Sequence, residues 1–163
     1  MPLIMPLLAL AVVNPAVWRL SAEGLGPIRI GMTESAVVHI VGSVEDDRVS
    51  TGDYQTCHEG TPKALPNVSF MFERGLLSRI AVKGRRDLRT PDGIGIGSPE
   101  RRLRQLYGRR ITLAAANYDV PGHSLLVWEK PGKRGVRFLT DANARVSLIY
   151  AGASSIEYIE GCL

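Results

Sequence analysis

The chain has 163 residues, 45% apolar and 22% charged, which is room for one domain or for two small half-domains over a shared core. That composition excludes a disordered chain, and an aromatic content of only 6% argues against a base-stacking nucleic-acid platform. The formal net charge is +4, carried largely by arginines at Arg85-Arg86, Arg101-Arg102 with Arg104, and Arg109-Arg110. Acidic residues interleave with them, as on a solvated surface.

Met1 to Trp18 is uncharged, rich in Leu, Ile, Val and Ala, and broken by Pro2, Pro6 and Pro15. It is short for a membrane span and suits the apolar core of a secretory signal. Residues 1–22 are therefore expected to form a signal peptide, and the protein to be periplasmic or secreted with no stable membrane span after leader removal. Ile28 and Ile30 alternate with Pro27 and Arg29, a short extended piece that turns at Gly31. Thr33 is placed to cap a helix whose apolar stripe is Ala36, Val37, Ile40 and Val41, and Gly42 ends it. Ser43 to Gly52 reads as an acidic loop and Tyr54 to Cys57 as a strand. Val68, Phe70 and Phe72 alternate, turn at Glu73-Arg74-Gly75 and return through Leu77 to Val82, a hairpin pattern.

Lys83 to Asp92 is charged and contains Pro91, as a connector does. Ser98 before Pro99 predicts a second helix start, with Leu103, Leu106 and Tyr107 facing inward and Gly108 ending it. Strands are expected over Ile111 to Ala115, Ser124 to Glu129, Val136 to Thr140 and Val146 to Ala151.

The chain repeats itself. Ile28, Ile30, Gly31, Glu34, Val37, Ile40 and Gly42 match Ile94, Ile96, Gly97, Glu100, Leu103, Leu106 and Gly108 at one offset of 66 residues. An internal repeat of this size predicts two copies of one supersecondary unit. The expected fold is α+β, two tandem repeats over 23–84 and 93–163 joined by a connector over 85–92. Each would be a short helix followed by an antiparallel β-meander, with the helices covering one face of the sheet.

Ile30-Gly31-Met32-Thr33 and the short helix ending at Gly42 resemble the opening of BamE/SmpA-type domains, small periplasmic modules of a helix and three strands. Their tandem arrangement resembles the architecture of the beta-lactamase inhibitor proteins. The closing Glu160-Gly161-Cys162 is similar to that of a group of small exported proteobacterial proteins of unassigned activity. The resemblance implies the fold, and no inhibitory contact residue carries over.

Two cysteines, Cys57 and Cys162, suggest one disulfide in an exported chain. The glycine run Gly93 to Gly97 lacks phosphate-loop spacing and reads as a turn. Cys57-His58 are strand neighbours that point to opposite faces, so they do not form a nucleophile–base pair. His39, His58 and His123 have no metal-ligand spacing. No catalytic, cofactor or metal residue is assigned.

The expected function is a non-catalytic, inhibitor-like or envelope-partner module that binds a protein in the cell envelope or outside the cell, without nucleic acid. Candidate partner-binding residues are Glu45, Asp46, Asp47, Tyr54, Tyr118, His123, Trp128 and Tyr150, on a concave sheet face with the loops Ser43 to Gly52 and Asp119 to Ser124. Two alternatives stand beside this. One is an envelope-polymer hydrolase using a carboxylate such as Glu129 or Asp141. The other is anionic-surface binding through Arg101, Arg102, Arg104, Arg109 and Arg110.

Overall fold

A computed structural model describes residues 18–46, 56–114 and 122–162. The expectations for residues 1–17, Asp47, Tyr54 and Tyr118 lie outside the described residues. Three two-residue strands open the described chain: β1 (Leu20–Ser21), β2 (Gly24–Leu25) and β3 (Ile28–Arg29), paired antiparallel in that order. Helix α1 (Glu34–Val41) follows, then β4 (Val44–Asp46), β5 (Cys57–Pro62), β6 (Val68–Glu73) and β7 (Leu76–Lys83). After a segment without strands come helix α2 (Glu100–Tyr107), β8 (Ile111–Leu113), β9 (Ser124–Lys130), β10 (Arg134–Thr140) and β11 (Val146–Gly152). Strands β4 to β11 form one antiparallel sheet in the order β4-β5-β6-β7-β11-β10-β9-β8.

This overturns the expected fold class. Over the described residues the chain is mostly β, with two eight-residue helices, an eight-stranded sheet and a separate three-stranded sheet, rather than two helix-plus-meander repeats. Gly42 and Gly108 stop each helix after two turns as expected, at φ 85° and 49°, which side-chain-bearing residues rarely adopt. The difference comes from the sheet. The pairing of β7 with β11 sets Ile80 opposite Ala151 and Val82 opposite Ile149, which merges all eight strands over one core.

That core lies on one face of the sheet. Phe70, Phe72, Ile80, Val82, Phe138 and Ile149 point into it from the strands. The helices contribute Val37, Val41 and Leu103, while Leu20, Ala22, Leu25, Ile28, Leu88 and Ile94 supply the rest of the cover. Two expectations shift with these contacts. Leu20 and Ala22, placed above in the leader, are 1% and 0% exposed and belong to the core. The connector is not a free linker, since Leu88 is buried and Arg89 bridges to both Arg19 and Gly95.

The two helix starts differ in chemistry. Thr33 caps α1 as expected, its hydroxyl accepting the Ala36 N–H at 3.3 Å. Ser98 does not cap α2; Pro99 holds that position, and the Ser98 hydroxyl accepts the Gly95 N–H at 3.0 Å instead.

The other sheet face is closed by the chain's own C-terminal segment. After β11, a 3-10 turn at Ser154–Glu157 crosses the sheet and buries Ser155 and Ile156. Gly135 of β10 and Gly152 of β11 are directly paired, and a Cβ at Gly135 would stand 3.1 Å from Ile156 Cδ1 and 2.7 Å from the Trp128 ring. Gly135 thus makes the dent that seats Ile156, while a Cβ at Gly152 would stand 2.3 Å from the Ser78 carbonyl oxygen. The end of the strap is tied by a disulfide between Cys57 of β5 and Cys162, which closes a loop of 105 residues.

Candidate interaction surface

Two arginines organise the strap. Arg79 of β7 is 3% exposed and Arg137 of β10 fully buried, each in the middle of its strand. Arg79 donates to the Ser155 carbonyl at 3.1 Å and to Glu59 Oε1 at 2.6 Å. Arg137 donates to the Ile156 carbonyl at 3.1 Å and to Ser124 Oγ at 2.7 Å. Their guanidinium carbons lie 4.6 and 6.0 Å from the centre of the Tyr150 ring, close enough for cation–π attraction. Burial pushes the Arg137 guanidinium below its ordinary pKa, against the pull of Tyr150. Tyr150, read above as a candidate contact residue, is 9% exposed beneath this arrangement. Trp128 is half-buried beside the same glycine dent. The expected concave binding face is therefore occupied along the strap by the chain itself.

The other candidates lie apart. Glu45 and Asp46 sit in β4, at one edge of the sheet, with Glu45 3.8 Å from Lys63. His123 lies just before β9, near the opposite edge. Six inter-strand spacings separate β4 from β9, roughly 28 Å along the sheet, so these residues do not form one site.

His123 belongs to a cluster at the start of α2. Glu100, 6% exposed, accepts from His123 Nδ1 at 2.9 Å, from Thr140 Oγ1 at 3.1 Å and from Arg104 Nε at 2.8 Å. Burial pushes its pKa up, but the bonds from His123, Arg104 and Thr140 outweigh that and hold it below the usual carboxylate value of 4.5. A matching pair stands at α1, where His58 Nε2 lies 3.2 Å from Glu34 Oε2 and its ring stacks on Phe72 at 5.2 Å. Because the Glu100 pKa is depressed, its contribution is present above about pH 4.5 and is lost as pH falls through the lower folded value. The native chain is expected to exceed Glu100→Gln in stability by on the order of 2 kcal/mol at neutral pH. The difference should shrink steadily in urea titrations taken below pH 4.5.

The arginines of α2 and the turn after it form the most open charged surface. Arg101, Arg102 and Arg109 are exposed and make no ion pair among the described residues, whereas Arg104 is paired with Glu100 at 2.6 Å. Arg110 turns to the Tyr107 ring, 5.9 Å away. This basic strip borders β8, which among the described residues is paired on one side only, with β9. Leu113 of β8 is 64% exposed and Leu106 of α2 is 47% exposed. An edge strand with open main-chain groups, apolar side chains and flanking positive charge is a template for another strand.

The carboxylates weighed for hydrolysis have separate surroundings. Asp141 Oδ1 accepts the N–H groups of Asn143 and Arg145 and so holds a turn. Glu129 is exposed and lines a small cavity with Asp92. Among the described residues, no group of three His, Cys, Asp or Glu is placed to hold a metal ion, and no helix is long and apolar enough to cross a membrane.

Sequence reasoning passed over Arg79 and Arg137. A signal was present: each is a cation directly between or beside apolar residues in mid-strand, at Leu77-Ser78-Arg79-Ile80 and Val136-Arg137-Phe138. Such a residue needs acceptors that its neighbours in sequence do not supply. Comparison with protein-family models, curated proteins and solved structures gave no match for this chain.

Proposed function

We propose that this chain is an exported, non-catalytic protein-binding domain, periplasmic or secreted, that receives an extended acidic segment of its partner along β8. The observation that carries the reading is Leu113, 64% exposed on an edge strand beside Arg101, Arg102 and Arg109, none of which is neutralised by a described residue. Strand addition satisfies the open main-chain groups of β8, the leucines provide apolar contact, and the arginines select acidic side chains.

Export is supported by the Cys57–Cys162 disulfide, because such bonds persist in oxidising compartments. Cleavage after residue 22 would strip β1 from its sheet and Leu20 and Ala22 from the core, so processing is proposed upstream of Trp18.

The test is site-specific photocrosslinking in the native envelope, with the photoreactive residue at Leu113 and, as a control, at exposed Leu76. One discrete protein adduct is expected from position 113, absent from position 76, and reduced at least tenfold by joint Arg102→Glu and Arg109→Glu. Equal adducts from both positions, or an adduct indifferent to the charge reversals, would remove β8 as the interface.

A further inference from the structure

A cavity of about 180 Å³ opens between α2, β1 and the core-side surface of β9 and β10, with Arg110 of the turn after α2 at its rim. Its floor is apolar: Leu20, Val127, Val136 and Phe138. The Tyr107 ring, stacked on Phe138 at 6.0 Å, forms one wall. An apolar cavity of about 150 Å³ admits a benzene ring, so this floor has room for one aliphatic or phenyl side chain and little more.

The mouth carries three charges. The Asp92 carboxylate accepts the Tyr107 hydroxyl at 3.0 Å; burial first, and then this bond, raise the Tyr107 pKa to about 12 and keep the phenol a donor. Glu129 lines the same opening and makes no ion pair among the described residues. Arg110 lies over the Tyr107 ring, also without an ion pair among them. Two carboxylates and one guanidinium thus surround an apolar slot.

That pattern discriminates between ligand classes. A fatty acid or other simple anion meets two carboxylates. A simple amine leaves Arg110 facing a cation. A neutral apolar molecule satisfies the floor and none of the charges. A molecule with an ammonium group, an adjacent carboxylate or carbonyl, and a compact apolar side chain meets all of them.

We propose that this cavity binds an α-amino acid with an aliphatic or phenyl side chain, either free or as the first residue of a peptide. The side chain enters over Leu20, Val127, Val136 and Phe138. The ammonium group lies toward Asp92 and Glu129, and the carboxylate or carbonyl toward Arg110. This rests on the cavity alone and is independent of the proposed edge interface.

Calorimetric titration of the disulfide-bonded chain tests it, with L-leucine, N-acetyl-L-leucine, L-leucinamide and L-leucylglycine as probes. L-leucine is expected to bind, and acetylation of the amine to weaken binding at least tenfold. Joint Asp92→Asn and Glu129→Gln should weaken L-leucine at least tenfold; the amide oxygen introduced at position 92 still accepts the Tyr107 hydroxyl, which keeps that wall in place. Arg110→Gln should weaken L-leucine more than L-leucinamide. Dipeptide binding equal to that of L-leucine identifies a peptide N-terminus as the ligand, and binding of L-leucine without the dipeptide identifies the free amino acid. Failure of all four probes to bind at about 10 mM, or equal binding of the acetylated and free amine, would overturn the proposal.

Discussion

Replacing Cys57 and Cys162 together by serine is expected to lower the unfolding free energy by about 4 to 5 kcal/mol, the entropy that a crosslink spanning some 100 residues removes from the unfolded chain. The 105-residue loop contains β5 through β11, so nearly the whole sheet lies inside it. The bond also holds the far end of a strap whose own turn, Ser154–Glu157, is too short to be stable alone. Guanidinium denaturation of the double variant against the native chain measures the loss. Amide exchange in residues 153–162 should rise with it, because the strap then depends only on Arg79, Arg137 and the seat of Ile156. A loss below about 1 kcal/mol would show that the bond closes a tail that is already fixed.

Arg137→Ala is expected to destabilise by about 3 to 5 kcal/mol. The side chain is fully buried, so truncation leaves a cavity and strips the Ile156 carbonyl and Ser124 Oγ of their donor. It also leaves Tyr150 with one cation over its ring instead of two. Arg137→Met separates volume from bonding. Methionine fills most of the space and is expected to recover about half of the loss, leaving the cost of unsatisfied acceptors. Buried charges can be replaced by apolar groups without penalty in some proteins. A methionine variant as stable as the native chain would place this arginine in that class and deny it a role in anchoring the strap.

These two expectations concern features that were unevenly legible in the sequence. Local signals read well. The alternation from Val68 to Phe72 and its return through Val82 became β6 and β7, and the apolar runs after Ser124, Val136 and Val146 became β9, β10 and β11. Thr33 and the two helix-ending glycines were equally plain, because a cap and a stop are chemistry of one or two residues.

What the pattern could not convey was which distant strand meets which. The β7–β11 pair joins residues about 70 positions apart, and Ile80 would alternate identically beside any apolar strand. The error in fold class came from there. The extended piece at Ile28 became β3, but β1 and β2 were illegible for another reason: two residues show no period, and an uncharged stretch beginning at Met1 draws attention to export instead.

The candidate site followed the same division. Arg101, Arg102 and Arg109 were visible as a basic cluster, and the exposure of the first two follows from the helix period around buried Leu103. The edge position of β8 is a property of the finished sheet. Tyr150 misled because an aromatic residue on a strand reads alike whether its face is open or covered by a tail.

Export and closure by one disulfide are tested together by the intact mass of the protein from fractionated native cells. Thiols would be alkylated before and after reduction. The expected result is an envelope or extracellular species lacking residues before Trp18, with Cys57 and Cys162 blocked only after reduction. A species with an intact N-terminus and both thiols free before reduction would contradict the account and place the chain in a reducing compartment.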